Sequence, residues 1–127
     1  MELSISSFDG VRLVTQARLE PNVNVHGTAF AGSLYAIQAL TGWGMVHLQT
    51  RILAVNASIL IAHGNIDYAA PVKQDIVAVC EFSNLEEEVR DLLKKRKARF
   101  NLSCSVTSDN SLACVFNGVY AVKNLDQ

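Results

Sequence analysis

The residues best suited to chemistry stand together as Asn24-Val25-His26-Gly27-Thr28, inside a segment, 21–50, that holds no Asp, Glu, Lys or Arg. If a helix follows them, its leading N–H groups have no partner within the helix, and the helix dipole adds partial positive charge at that end. Gly27 lets a carbonyl come close to the backbone. A helix start of this kind is an oxyanion site, the first requirement for attack on a carbonyl. The second requirement is a positioned, activated water. Asn24 can orient one through its amide, and His26 carries the side chain suited to proton transfer at physiological pH. A structural reading of the same residues stays open, with Gly27 forming a packing turn, Asn24 satisfying turn backbone and His26 capping loop groups.

Other polar residues add less. Ser33 sits in "FAGSL", which is not GxSxG, so no nucleophile elbow is present and no acyl-enzyme is expected on Ser33. His63, Asn65 and Asp67 share one strand parity and form a polar line in an otherwise apolar run. That line either reaches a site from a second subunit or marks an exposed sheet edge. His26, His47 and His63 lie far apart, with neither HxxxH nor Cys partners, so no metal site is expected. Neither GxxxxGK[ST] nor GxGxxG occurs, and no cofactor is expected.

The elements that must position these groups follow from periodicity. Val11, Leu13, Ala17 and Leu19 alternate with Arg12, Gln16 and Arg18 as in a half-buried strand. Pro21, Asn22 and Asn24 break that strand. A helix over 29–48 follows, with Thr28 as its cap. Phe30, Leu34, Ile37, Leu40, Trp43, Met45, Val46 and Leu48 cover nearly all its sides, so it belongs in the interior. Gly32, Gly42 and Gly44 within it each cost about 1 kcal/mol relative to Ala, which implies that something approaches closely, either a wrapped sheet or an inserted ligand.

Residues 57–69 and 76–82 read as strands joined by a turn at Pro71, and as antiparallel neighbours. Residues 83–97 read as a surface helix, with Ser83 and Glu86 as a capping box. Its acidic residues 86–88 and basic residues 94–97 complement the helix dipole, a phosphate-binding role being the alternative. Ala98, Phe100, Leu102, Cys104 and Val106 alternate strictly with polar residues, and a turn at 108–111 leads to a final strand. One face of that strand carries Leu112, Cys114, Phe116, Tyr120 and Val122. The other carries Ala113, Val115, Val119 and Ala121, too apolar for open water, which predicts a homodimer or a dimer of dimers.

The 127 residues fit one domain (1–127) of α+β class, an antiparallel sheet of about five strands curled around a long helix, with a short surface helix. Half the residues are hydrophobic, 18% are charged and the net charge is -1, a composition that excludes disordered and polycationic classes and makes nucleic acid an unexpected partner. Three cysteines without CxxC spacing read as buried reduced thiols. The N-terminus shows no signal-peptide pattern, and Ser33, Gln38, Thr41, His47 and three glycines interrupt 29–48 as a membrane span, so a cytoplasmic location is expected.

"HGTAFAGSLYAIQALTGWG", "IDYAAPV" and "KARFNLSCSVTSDNSLACVFNGVYAV", in this order, resemble the hotdog-fold thioesterase superfamily, closest to its YiiD C-terminal-domain type. The resemblance implies an antiparallel sheet wrapped around the central helix, a dimer as the minimal unit, and an acyl-thioester site at the dimer interface near the helix start. It implies hydrolysis of acyl-CoA or acyl-carrier-protein thioesters. Asn24, His26, Gly27 and Thr28 would be the catalytic set, and Phe30, Gly32, Ser33, His63 and Asp67 would contact substrate. Coenzyme A phosphates or an acidic carrier protein would call on Arg51, basic residues 94–97 or Arg99. The helix departs from better characterised hotdog thioesterases in carrying no Asp or Glu. That departure keeps open a non-catalytic acyl- or lipid-binding module and, with Asp67 as the carboxylate, a dehydratase or hydratase.

Overall fold

In the computed structural model, which describes residues 1–126, most of the uncharged segment folds into one long helix, α1 (Ala31–Ile52), whose last turn adds Arg51. It starts two residues later than periodicity suggests, because Phe30 is extended and serves as the N-cap without any side-chain cap. Thr28 therefore does not cap α1. Leu34, Ile37, Gln38, Thr41, Gly42, Met45, Val46 and Thr50 are its buried residues. Its remaining apolar residues include Leu40 and Trp43, which are exposed.

Six strands surround it: β1 (Ser4–Phe8), β2 (Arg12–Ala17), β3 (Ala57–Tyr68), β4 (Ile76–Glu81), β5 (Lys97–Ser108) and β6 (Ser111–Asn124). They form one antiparallel sheet in the order β1-β2-β4-β5-β6-β3. The expected count of five is corrected to six by β1. Its residues are mostly exposed and a bulge between Ile5 and Ser7 breaks the register, so no alternation marks it in the sequence. A second correction concerns neighbours. β3 and β4 are not paired; β3 runs along β6 at the sheet edge, while β4 lies between β2 and β5. The segment between them is no hairpin turn, since the Ala29 N–H donates to the Val72 carbonyl at 2.8 Å and ties the crossing chain to the segment leading into α1.

β5 and β6 form the long hairpin that strict alternation predicted, closed by Asp109 and Asn110 at φ 52° and 62°, the left-handed pair of a tight two-residue turn. A register shift between Val106 and Thr107 changes the faces expected at the start of β6. Ala113 is fully buried and Leu112 is exposed, the reverse of the sequence assignment, while Val115, Val119 and Ala121 remain half-buried on the outer face. The surface helix α2 (Glu86–Lys94) is shorter than 83–97, because Leu85 is its N-cap without a side-chain bond and Lys97 already belongs to β5. The Ser83 capping box is absent.

Inside the curl, Tyr120 on β6 donates from its hydroxyl to the Ala39 carbonyl at 2.7 Å, and burial pushes its phenol well above the ordinary range, so it stays a donor. Cys80 and Cys104 face each other across β4 and β5, both buried. The hydrogen bond between them and burial hold the Cys104 thiol far above its usual value, which keeps it neutral.

Gly42 and Gly44 separate two causes of helix glycine. A Cβ on Gly42 would lie 2.2 Å from the Tyr120 hydroxyl and 2.7 Å from its ring carbon Cζ, whereas one on Gly44 would meet only Leu13 Cδ2, at 3.5 Å. Gly42→Ala should destabilise the protein by about 1–3 kcal/mol through overpacking, and Gly44→Ala should stabilise it by up to about 1 kcal/mol through helix propensity. Denaturant unfolding of the two variants checks the opposite signs.

Candidate functional site

β2 ends at Ala17, and a short 3-10 turn (Glu20–Asn22) redirects the chain toward α1. An antiparallel bridge between Val23 and Ala29 then closes the loop 24–28. Within it the Asn24 N–H donates to the Thr28 carbonyl at 2.8 Å, and the Gly27 N–H donates to the Asn24 carbonyl at 3.2 Å. The Asn24 side-chain oxygen accepts from the N–H groups of His26 (2.8 Å) and Thr28 (3.1 Å). Its amide nitrogen donates to Thr28 Oγ1 at 2.9 Å. Asn24 thus organises the loop, an Asx-type closure that fixes the backbone on either side of Gly27.

Gly27 sits at φ 75°, and nothing lies within 4 Å of where its Cβ would be. Here glycine serves backbone conformation and leaves the space above it open. His26 is exposed beside it, and Val25, 95% exposed, projects an apolar side chain from the same loop. Two bonds anchor the chain between the loop and α1: the Ala29 N–H donates to the Val72 carbonyl of the segment between β3 and β4, and the Phe30 N–H to the Asn22 carbonyl at 2.7 Å. The Phe30 ring folds back along the first turn, where a Cβ on Gly32 would come within 2.6 Å of it. Since α1 has no side-chain cap, its leading N–H groups are unclaimed by the loop and carry the positive end of the dipole. The structure thus gathers Asn24, His26, Gly27, Thr28, Phe30, Gly32 and Ser33 at one helix start.

His63 and Asp67 stand elsewhere, on β3. Among the described residues no hydrogen bond joins either one to the loop. His63 follows a bulge between Ile61 and His63 and lines a groove of about 490 Å³ between α1 and β3, with Tyr35, Ala39, Leu40, Trp43 and Ile61. Asp67 is exposed, close enough to Cys114 for its charge to add to the burial that raises that thiol.

Three groups that sequence reasoning did not single out help shape this region. The Tyr68 hydroxyl donates to the Ala31 carbonyl at 2.8 Å and buttresses the helix start; partial burial pushes its phenol upward. Tyr35 packs edge-on against Phe116 at 5.0 Å, and its hydroxyl lies where a Gly64 Cβ would be, 2.2 Å away. A glycine inside an apolar strand was the available signal for that close approach. Gln38, fully buried on α1, donates to the Leu34 carbonyl (3.0 Å) and to Cys114 Sγ (3.1 Å), while its Oε1 has no partner among the described residues.

Residues 1–124 match the family described as "Putative thioesterase (yiiD_Cterm)". Among solved structures, the fold is similar to that of a Chlorobaculum tepidum protein of unknown function, with TM-score 0.91, 36% identity and coverage of 98% of this chain and 83% of that one. A thioesterase from Shewanella oneidensis, so described provisionally, gives TM-score 0.89 at 37% identity over 95% of this chain and 83% of its own. A "probable thioesterase" from Pseudomonas aeruginosa, at 16% identity, TM-score 0.81 and coverage of 96% and 83%, shares the fold.

Because the Asn24 oxygen accepts two backbone N–H groups, Asn24→Ala should lower unfolding free energy by about 1 kcal/mol, whereas Asn24→Asp, which keeps the acceptor, should retain most of it. Chemical denaturation of the pair measures this. Equal losses in both variants would remove the loop-closing role.

Proposed function

The chain belongs to the YiiD C-terminal family of thioesterases, and from that premise we propose that it hydrolyses acyl thioesters of coenzyme A or acyl carrier protein at the start of α1. The observation that carries this reading is the uncapped first turn of α1 beside the open, left-handed Gly27. A thioester carbonyl seated there meets unclaimed N–H donors, which stabilise the oxyanion formed when water adds to the carbonyl carbon. His26 takes the proton from that water and returns it to the departing sulfur as the C–S bond breaks, leaving a carboxylic acid and a free thiol. Asn24 and Thr28 hold His26 and Gly27 in register, and Phe30, Gly32 and Ser33 form the wall against the acyl group.

The proposed assembly is a homodimer formed through β3. That strand is the free edge of the sheet beyond β6, it is twelve residues long, and Leu60 is 66% exposed on it. A long edge of this kind invites pairing. Antiparallel pairing with its own copy about a two-fold axis brings the Tyr68 end of one β3 beside the Ser58 end of the other. It also buries the apolar groove of Leu40, Trp43 and Ile61 and offers His63 and Asp67 to a shared site.

A second reading, acyl binding without hydrolysis, draws on the absence of any Asp or Glu from α1 and on the apolar character of that groove. Purified protein incubated with a chain-length panel of acyl-CoA and acyl carrier protein thioesters separates the two. Release of free thiol above background supports hydrolysis, and an intact bound thioester after hours supports binding alone. Where turnover is seen, His26→Ala should reduce kcat by about 10²-fold, the usual worth of a general base, with unfolding unchanged. Light scattering at micromolar concentration should give the dimer mass; a monomer mass would remove the shared site.

A further inference from the structure

Five of the chain's eleven cations converge on one concavity away from the helix start. Lys95 and Arg96 come from the turn after α2, Lys97 and Arg99 from the beginning of β5, and Lys123 from the end of β6. The hollow has a volume of about 980 Å³, and Asp91 is the one carboxylate among its lining residues. Asp91 is engaged with Lys95, at 3.5 Å. Among the described residues no ion pair reaches Arg96, Lys97, Arg99 or Lys123.

Strand register orders these groups in two rows. Ser58, Lys123 and Lys97 are cross-strand partners over β3, β6 and β5, and Leu60, Ala121 and Arg99 form the adjacent row. Lys97 directly opposite Lys123 places like charges at the closest cross-strand distance, which destabilises a sheet unless an anion lies between them. The neighbouring row offers the exposed Leu60 and the half-buried Ala121 beside the planar guanidinium of Arg99, an apolar surface on which an aromatic base can stack. The volume is that of a small-molecule site, whereas a protein partner needs a broad, flatter interface.

We propose that this concavity binds a nucleotide carrying two or more phosphates, with Lys97, Lys123, Lys95 and Arg96 on the phosphates and Arg99, Leu60 and Ala121 against the base. The site deepens the thioesterase reading, and rests on it only in naming that nucleotide as the coenzyme A end of the substrate. In the proposed β3-paired dimer the Ser58 end of β3, which lines the concavity, would stand beside the Tyr68 end of the other subunit's β3, which buttresses that subunit's helix start.

Titration calorimetry with adenosine 3′,5′-bisphosphate tests the site without any turnover. Wild-type protein should bind it, more weakly as salt rises. The exposed double variant Lys97→Ala/Lys123→Ala should bind at least about tenfold more weakly, as expected for two lost charge-assisted contacts. A control with the same change in net charge, Arg12→Ala/Lys73→Ala, at cations outside the concavity, should bind as wild type does. No binding by the wild type, or equal weakening in the control, overturns the proposal. So does an acyl carrier protein whose binding depends on Lys97 and Lys123 while the nucleotide does not bind. In turnover assays the double variant should raise KM for acyl-CoA and leave acyl-pantetheine, which lacks the nucleotide, unchanged. Nucleotide binding without turnover of either substrate would sink the hydrolase reading and leave the site standing.

Discussion

The distance between α1 and β6 sets the rest of the structure. Tyr120 stands fully buried between them, its ring over Gly42 and its hydroxyl on the Ala39 carbonyl. Any side chain at position 42 would push the helix off the sheet. The same economy of space recurs where Tyr35 occupies the volume above Gly64. Both glycines serve packing, and together they fix how α1 lies in the curl and where its first turn emerges. A helix lying this close admits no carboxylate on its inward face without a partner, because an unpaired buried charge costs several kcal/mol.

The polar groups that α1 does bury are therefore neutral and mostly satisfied within it. Thr41 donates to the Ile37 carbonyl at 2.7 Å and meets the Thr15 hydroxyl of β2 at 2.7 Å. Gln38 is the exception, its Oε1 having no partner among the described residues. A neutral amide tolerates this at a cost of about 1–3 kcal/mol, where a carboxylate would not. The absence of any charge from α1 before Arg51 in its last turn thus follows from its depth. The same depth leaves its uncapped first turn, at the rim of the curl, as its place for meeting polar chemistry.

Much of this was legible from the sequence, for reasons that differ by element. The strict alternation from Ala98 to Val106 could hardly be anything but a strand, since a slip of one residue would turn Phe100 and Cys104 to water. The uncharged segment named the buried helix because helix burial is read directly from side chains. β1 was hidden because an exposed edge strand carries no alternation, and the β3–β6 partnership because sequence does not record which edge a crossover reaches. At the candidate site, "HGT" announced a turn ahead of a helix, yet its closure by Asn24 moved the helix start to Ala31. Tyr68 escaped notice because its role depends on a backbone carbonyl thirty-seven residues away. The convergence of Lys97 and Lys123 was invisible as well, being a property of register.

The sheet order also constrains how the chain is made. β3 cannot pair until β6 exists, and Ala57↔Asn124 is among their contacts. During vectorial synthesis, then, α1 and β3 leave the ribosome well before the strands that cover them. Until β5 and β6 are made, the long apolar helix is unsheltered on that side, and the β5–β6 hairpin, whose own contacts are local, becomes the nucleus onto which earlier segments dock. Topology of this kind leaves apolar surface open in the nascent state, and loss of β6 would take the pairing partner from both β3 and β5.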